Sequence, residues 1–513
     1  MAEPHAVGRA PPNIWLPGLV ERFAGYLDPI FVACTLRLVD KATAEQFRGR
    51  SEYSSTVRLS QPVPPHAFAA RWTPPGAMRD LKLEQRQQLL RLTAASGVVA
   101  NLEVALAAVG FIPGRLQEME VLKAGTVSGQ ADAVHFILAR GYGDADAICM
   151  ALHIAAGAGH QGVCEVLLAD DRSPGVKLGH VATALEGGHP GLADWLLQRR
   201  REGPIGPTDS LEPRGWQGCI RLLSAAAEGC DLPVLQSLTG RFGGVPAGGV
   251  GYLLTVAAHS QAADWRAKVE WLELQAHPQS LHWDTHVCTM AAGCADAEDR
   301  LVWLLGRGYK IDKAAANGVL EAGNTAALEL LLGRGLRPEL RSVMAAAGAG
   351  QLEALMKLRE YGCPVDAAEV ARAAALGGQL PVLVWAVEEL GASAQDLAVL
   401  NAVIGRCNLE ALRWLRQRGC PLNGARVALL AVEGGNQMAL AWAAEELGAS
   451  VRSADLMDAA AASGCVEVMA WLREHGCPWG EGTFGGAAGA GCEAALEWLV
   501  EQGCPMPVSS AVM

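Results

Sequence analysis

The stretch "AVIGRCNLEALRWLRQRGCP", Ala402 to Pro421, decides how this chain folds. Within Asn408–Gly419 the apolar residues Leu409, Leu412 and Leu415 recur every three residues, and Ala411 and Trp414 widen the stripe. Glu410, Arg413, Arg416 and Arg418 lie off it, so the segment predicts a short helix with one face to bury. Gly419 suits the left-handed position that ends a helix, and Pro421 prevents the helix from resuming. A helix this short cannot bury its stripe alone. It needs copies of itself alongside.

The copies are present. "AAGAGQLEALMKLREYGCP" begins at Ala346, "AALGGQLPVLVWAVEELGA" at Ala374, "AVEGGNQMALAWAAEELGA" at Ala431 and "AAASGCVEVMAWLREHGCP" at Ala460. The apolar residue that marks each second helix falls at Leu301, Leu328, Leu355, Leu383, Leu412, Leu440, Met469 and Leu496. Successive spacings are 27, 27, 28, 29, 28, 29 and 27 residues. A longer beat of 57 residues separates Leu383 from Leu440 and Leu412 from Met469, with endings alternating between "ELGAS" and "RGCP" or "HGCP". That beat reads as a duplicated two-repeat unit. Less regular copies extend upstream with markers at Ala105, Val134, Cys164, Ala193, Leu235 and Val269. Arg201–Gly215 and Thr239–Gly251, rich in Gly and Pro, read as insertions between helix pairs. The expected fold is an all-α helical solenoid of about fourteen helix-turn-helix repeats over residues 86–507.

Composition agrees. The 513 residues are 50% hydrophobic but only 5% aromatic, with 59 glycines, as suits close-packed short helices joined by tight turns. A net charge of −12 supplies no basic footprint for phosphates, so nucleic acid is not an expected partner. Apolar runs are broken well before the ~20 residues needed to cross a bilayer, so no membrane association is expected either. Met1–Pro12 lacks the apolar core of a secretory signal, and the 14 cysteines read as reduced thiols of a cytoplasmic or nuclear protein.

No catalytic constellation is visible, so no enzyme activity and no cofactor are expected. There is no Walker loop, no Gly-x-Ser-x-Gly and no His-Glu-x-x-His. His282, His286, Cys288 and Cys294 offer zinc-preferred ligand types, but their spacing is unlike Cys-x-x-Cys, and they read as packing and loop residues. Cys363, Cys420, Cys477 and Cys504 recur because the repeat recurs, each as a compact apolar filler. Trp195, Trp271, Trp303, Trp385, Trp414, Trp442, Trp471 and Trp498 share one position of the second helix and predict a core ladder.

"ALHIAAGAGHQGVCEVLLADD", Ala151–Asp171, resembles the ankyrin repeat, with His153 and His160 at the two histidine positions of its Leu-His-x-Ala-Ala-x-x-Gly-His opening. The resemblance covers roughly Arg86 to Pro505 and implies a protein-binding solenoid. The usual ankyrin period is ~33 residues, against about 28 here. The shortfall lies where that family projects a β-hairpin finger, as from Gly419 to Leu429, so stunted fingers and almost no sheet are expected. Partner contact would then shift towards the end of the first helix, where Gln351, Gln379, Glu433 and Asn436 are candidate target-binding residues.

Residues 13–48, "NIWLPGLVERFAGYLDPIFVACTLRLVDKATAEQFR", do not fit the repeat. They resemble an F-box-like segment, which implies binding to a Skp-type adaptor of a cullin ubiquitin ligase through Leu16, Pro17, Leu19, Val20, Phe23, Leu27, Pro29 and Val32. Gly18 and Thr43 depart from that pattern. Residues 49–85, Pro-rich, read as an extended linker. The combined expectation is a target-recognition subunit coupling a bound protein to the ligase. Its alternative is an interaction scaffold whose N-terminal helices only cap the solenoid, with no role in ubiquitination.

Overall fold

A computed structural model describes residues 17–39, 41–50, 57–202, 216–246, 248–275 and 285–506. All regular structure among them is helical, in two units that divide near residues 155–175. Leu16, His282, most of Arg201–Gly215 and Ala247 lie outside the described residues.

The first unit begins with three short helices, α1 (Pro17–Ala24), α2 (Pro29–Cys34) and α3 (Lys41–Gln46). They close on a core of their own made by Val20, Ala24, Val32, Leu36 and Phe47. Asp28 accepts a hydrogen bond from the Ile30 amide at 2.7 Å, capping α2, and Gln46 Nε2 donates to the Pro17 carbonyl at 2.9 Å. The stretch expected as an extended linker instead carries α4 (Pro65–Trp72), whose first residue is a proline pre-set for a helix start. It lies against α6 (Val99–Ala108), the closing helix of a hairpin with α5 (Leu83–Ser96). Phe68 is buried, and Asn101 Nδ2 donates to the Val63 carbonyl at 2.8 Å. Arg86, buried on α5, donates to the carbonyls of Leu81, Met78 and Val109. So α4, and not the α1–α3 cluster, closes off the first repeat. Two more hairpins follow, α7 (Arg115–Val127) with α8 (Ala131–Ala139) and α9 (Ala145–Gly157) with α10 (Gln161–Ala169).

The second unit stacks eleven hairpins, from α11 (Leu178–Glu186) and α12 (Pro190–Glu202) to α31 (Thr483–Ala490) and α32 (Glu493–Glu501), odd-numbered helices opening each hairpin and even-numbered ones closing it. Three hairpins and eleven make the expected fourteen. First helices of neighbouring repeats pack more closely than second helices do. Small residues permit this: a methyl group at Gly377 of α23 (Ala367–Gly377) would overlap the Gly348 carbonyl of α21 (Leu340–Ala349). The marker residues form the core between layers, Leu301, Leu328, Leu355, Leu412, Leu440 and Met469 all being fully buried. No strand occurs among the described residues, so the fingers are reduced to short loops.

Most hairpin turns are closed by one device. A first helix ends on a glycine in the left-handed region, such as Gly350 (φ 84°), and the next amide turns back to the helix, as Gln351 N donates to the Ala346 carbonyl at 3.0 Å. Some second helices also start on a capping side chain, as where Asn436 Oδ1 accepts from the Ala439 amide at 3.0 Å in α28 (Gln437–Leu447). The hairpin turns at Gly229–Cys230 and His259–Ser260 lack the left-handed glycine and use buried cations in its place. Lys268 Nζ donates to the Ala227 carbonyl at 3.0 Å, and Arg300 Nη1 to the Ala258 carbonyl at 2.7 Å. Burial pushes the Lys268 ammonium below its usual pKa.

Another repeat holds a side chain where the device has glycine. Cys407, after α25 (Leu397–Arg406), holds φ 50° where its neighbours have glycine. A side chain in that region costs roughly 1–2 kcal/mol, partly offset by the greater unfolded-state freedom of glycine. Cys407→Gly is therefore expected to raise the unfolding free energy by about 0.5–1 kcal/mol in urea titration, while Cys407→Val lowers it. An unchanged midpoint for both would show that the left-handed geometry carries no cost.

Candidate functional site

The face that could meet a partner is whatever stacking leaves over, so the expected site residues are best judged by what already occupies them. Gln351 and Gln379 lie directly over Gly323 and Gly350 of the preceding repeats, each within reach of where a β-carbon would stand. Asn436 is the N-cap of α28. Three of the four expected target contacts thus serve repeat-to-repeat packing or capping, and only Glu433 is simply exposed. The signal for this was a left-handed glycine one repeat upstream of each glutamine.

In the N-terminal segment the residues separate by face. Val20 and Val32 are buried in the local core, at 1% and 0% exposure, and cannot reach an adaptor. Pro17, Leu19, Phe23, Leu27 and Pro29 are exposed, Phe23 at 50%. Leu16 lies outside the described residues.

The tryptophans do not form a uniform core ladder. Trp385 and Trp442 are buried, whereas the other six are half-exposed. The next residue decides which. Ala386 and Ala443 follow the buried pair, while Leu196, Leu272, Leu304, Leu415, Leu472 and Leu499 follow the half-exposed six, and each of those leucines is fully buried. Where leucine fills the core the indole is displaced to the rim, and where alanine leaves room it turns in. At the rim, cations stack on the ring four residues on. Arg307 lies over Trp303 at 4.9 Å and Arg418 over Trp414 at 4.7 Å, while the His475 ring stacks on Trp471 at 3.9 Å.

The second helices also alternate in charge. Glu388 and Glu389 at the end of α24 (Leu380–Glu388) are held from both sides. Arg359 of α22 (Leu352–Glu360) pairs with Glu389 at 3.1 Å, and Arg418, just beyond α26 (Leu409–Gln417), pairs with Glu388. Arg416 Nη2 donates to the Glu446 carbonyl of α28 at 3.2 Å.

The cysteines are packing groups. Cys420, Cys477 and Cys504 are buried and Cys363 half-buried. The thiols of Cys420 and Cys477 donate to the carbonyls of Ala394 and Ser453, tying each hairpin end to the preceding loop. Burial raises their pKa values. Of the zinc-type residues, His286 is exposed while Cys288 and Cys294 are buried, and burial pushes the Cys288 thiol up to about 12. Cys294 Sγ sits 3.5 Å from His259 Nδ1.

Clefts also open on the helix surfaces. One of about 160 Å³ lies between α5 and α7, beside Leu90, Arg91, Leu116 and Glu120. A larger one of about 480 Å³ lies between α24 and α26.

These features define a helical-repeat protein. No known family model matches the chain, and no curated protein matches it. Among solved structures it is similar to the pentatricopeptide repeat protein PPR10 from maize, at 15% identity over 96% of this chain and 76% of that one, with a TM-score of 0.27. It is also similar to PPR10 in complex with an 18-nt psaJ RNA element, at 13% identity over 96% and 88% of the chains, with a TM-score of 0.26. A triply substituted form of that complex gives the same values. Superposition this loose carries no argument about what this chain binds. Two expectations are corrected all the same. No family model extends the ankyrin resemblance of Ala151–Asp171 to the chain, which stands as a helical-repeat protein without a shown family. The exclusion of nucleic acid is withdrawn as well, since two of these helical-repeat structures contain RNA and net charge alone does not set what a repeat surface holds.

The tryptophan rule is testable by exchange. Ala386→Leu should overpack the α24 core and destabilise the protein by about 1–3 kcal/mol in urea titration. Adding Trp385→Val should recover most of that loss. A neutral Ala386→Leu, or no recovery, would contradict the account.

Proposed function

We propose that the chain is an interaction scaffold that holds another protein against the exposed faces of its repeats. The observation that supports this is how the repeat positions divide. Markers, glycines, caps and the residue after each tryptophan are consumed by stacking, while neighbouring exposed positions vary freely from repeat to repeat, as Glu433 and Arg413 illustrate. A rigid frame with a variable surface suits recognition, and the fold itself names no ligand. No helix among the described residues is long and apolar enough to cross a membrane.

A second reading couples this scaffold to a ubiquitin ligase. It is favoured by one observation: Leu19, Phe23, Tyr26, Leu27, Phe31, Leu38 and Val39 are exposed on a cluster that folds on its own core. So many large apolar side chains left exposed on one small cluster suit a partner site.

One experiment tests both. The full chain, tagged and crosslinked in its native cell, is captured before and after ribonuclease treatment. The scaffold reading expects protein partners that survive ribonuclease, and recovery of RNA alone would contradict it. The ligase reading expects a Skp-type adaptor among those proteins, lost on Leu16→Ala with Phe23→Ala. An absent adaptor, or one indifferent to the double substitution, removes that reading and leaves the first in place.

A further inference from the structure

The larger cleft is lined by Leu380, Leu409, Glu410, Arg413, Trp414 and Gln417. Its volume, about 480 Å³, is in the range that takes two or three side chains of a peptide. Three walls are apolar, and the indole is one of the half-exposed six, its far edge displaced outward by Leu415. The polar groups are one cation, one carboxylate and one amide.

Arg413 sets this cleft apart. The arginines around it have tasks within the stack: Arg406 donates to the Leu376 carbonyl at 2.7 Å, Arg416 to the Glu446 carbonyl, and Arg418 pairs with Glu388 beneath the Trp414 contact. Arg413 is exposed and makes no ion pair or hydrogen bond among the described residues. Its position, one after the marker, holds Asp194, Glu270, Val302, Glu329, Met356, Val384, Ala441, Ala470 and Glu497 in other repeats, and no other repeat has Lys or Arg there. Stacking therefore does not ask for a cation at this place.

We propose that the cleft between α24 and α26 docks an extended partner segment in which one or two large apolar residues are followed by an acidic one. The apolar side chains sit on Leu380, Leu409 and Trp414, and the carboxylate meets Arg413. This deepens the scaffold reading and rests on it. Charge complementarity selects the occupant: a single uncommitted guanidinium at the edge of an apolar wall matches one carboxylate beside a hydrophobic anchor. A nucleic-acid strand needs a succession of cations along its backbone, whereas Glu410 stands in this wall.

The test is a selection of random 12-residue displayed peptides on the full-length protein, beside its Arg413→Glu and Leu409→Ser variants, with random 18-nt RNA as a parallel probe. Arg413 is exposed and Leu409 half-buried on α26, and unchanged thermal melting shows that the variants are folded. Enrichment of apolar-then-acidic peptides on the parent is expected. Their affinity should fall roughly tenfold on Arg413→Glu, which should favour Lys-bearing counterparts, and should weaken on Leu409→Ser. Enriched peptides without that pattern, or indifferent to both substitutions, overturn the cleft and leave the scaffold reading standing. Retention of RNA with no peptide enriched overturns both.

Discussion

The packing of one hairpin's first helix against the next is the interaction on which everything else in this protein depends. A single hairpin has apolar residues on both of its broad sides and cannot hide them from water. Stacking hides them, and the closeness of the stack is set by what the first helices leave out. Alanine lines their shared faces, and at Gly377 even a methyl group would collide with Gly348. The left-handed glycines belong to the same constraint. They turn the chain within one or two residues and let the next repeat's glutamine lie over the bend. At two turns where that glycine is missing, buried Lys268 and Arg300 reach across to the helix carbonyls of Ala227 and Ala258 instead.

The 57-residue beat has a physical cause in the second helices. Helices ending in Arg or His alternate with helices ending in paired glutamates, and Glu388 with Glu389 is gripped by arginines on both sides. Each surface pair contributes little, on the order of 0–1 kcal/mol. Together with core shape they fix order: the Trp-Ala helices place their indole inside, and the Trp-Leu helices between them place it at the rim. Two glutamate-ended helices side by side would bring like charges and two inward indoles to one interface.

The hairpins were legible in the sequence because a marker every 27–29 residues, a helix-ending glycine and a following proline are all local signals. What was not legible required knowing which side chain meets the next repeat. Gln351 and Asn436 look like surface polar residues until the glycine and the amide that they serve are placed beside them. Trp385 and Trp414 share a repeat position, and only the following Ala or Leu separates them, a distinction lost when both are counted as apolar. The helix at Pro65–Trp72 hides in a Pro-rich composition that suggests an extended linker, although proline at a first turn starts helices. Val20 and Val32 were read as adaptor contacts because family patterns do not say which apolar residues a small helical cluster keeps for its own core.

The variable surface has meaning only if the frame beneath it is rigid and ordered, so the frame is the thing to test. The most direct measurement compares urea unfolding of the full chain with two deletions, one removing α25 and α26 alone, the other removing α25 through α28 as a block. The account predicts a midpoint close to the parent's for the block, which keeps the alternation of second helices. It predicts a clearly lower midpoint for the single hairpin, which sets α24 against α28 with Glu388, Glu389, Glu445 and Glu446 together. Equal midpoints for the two deletions would contradict it.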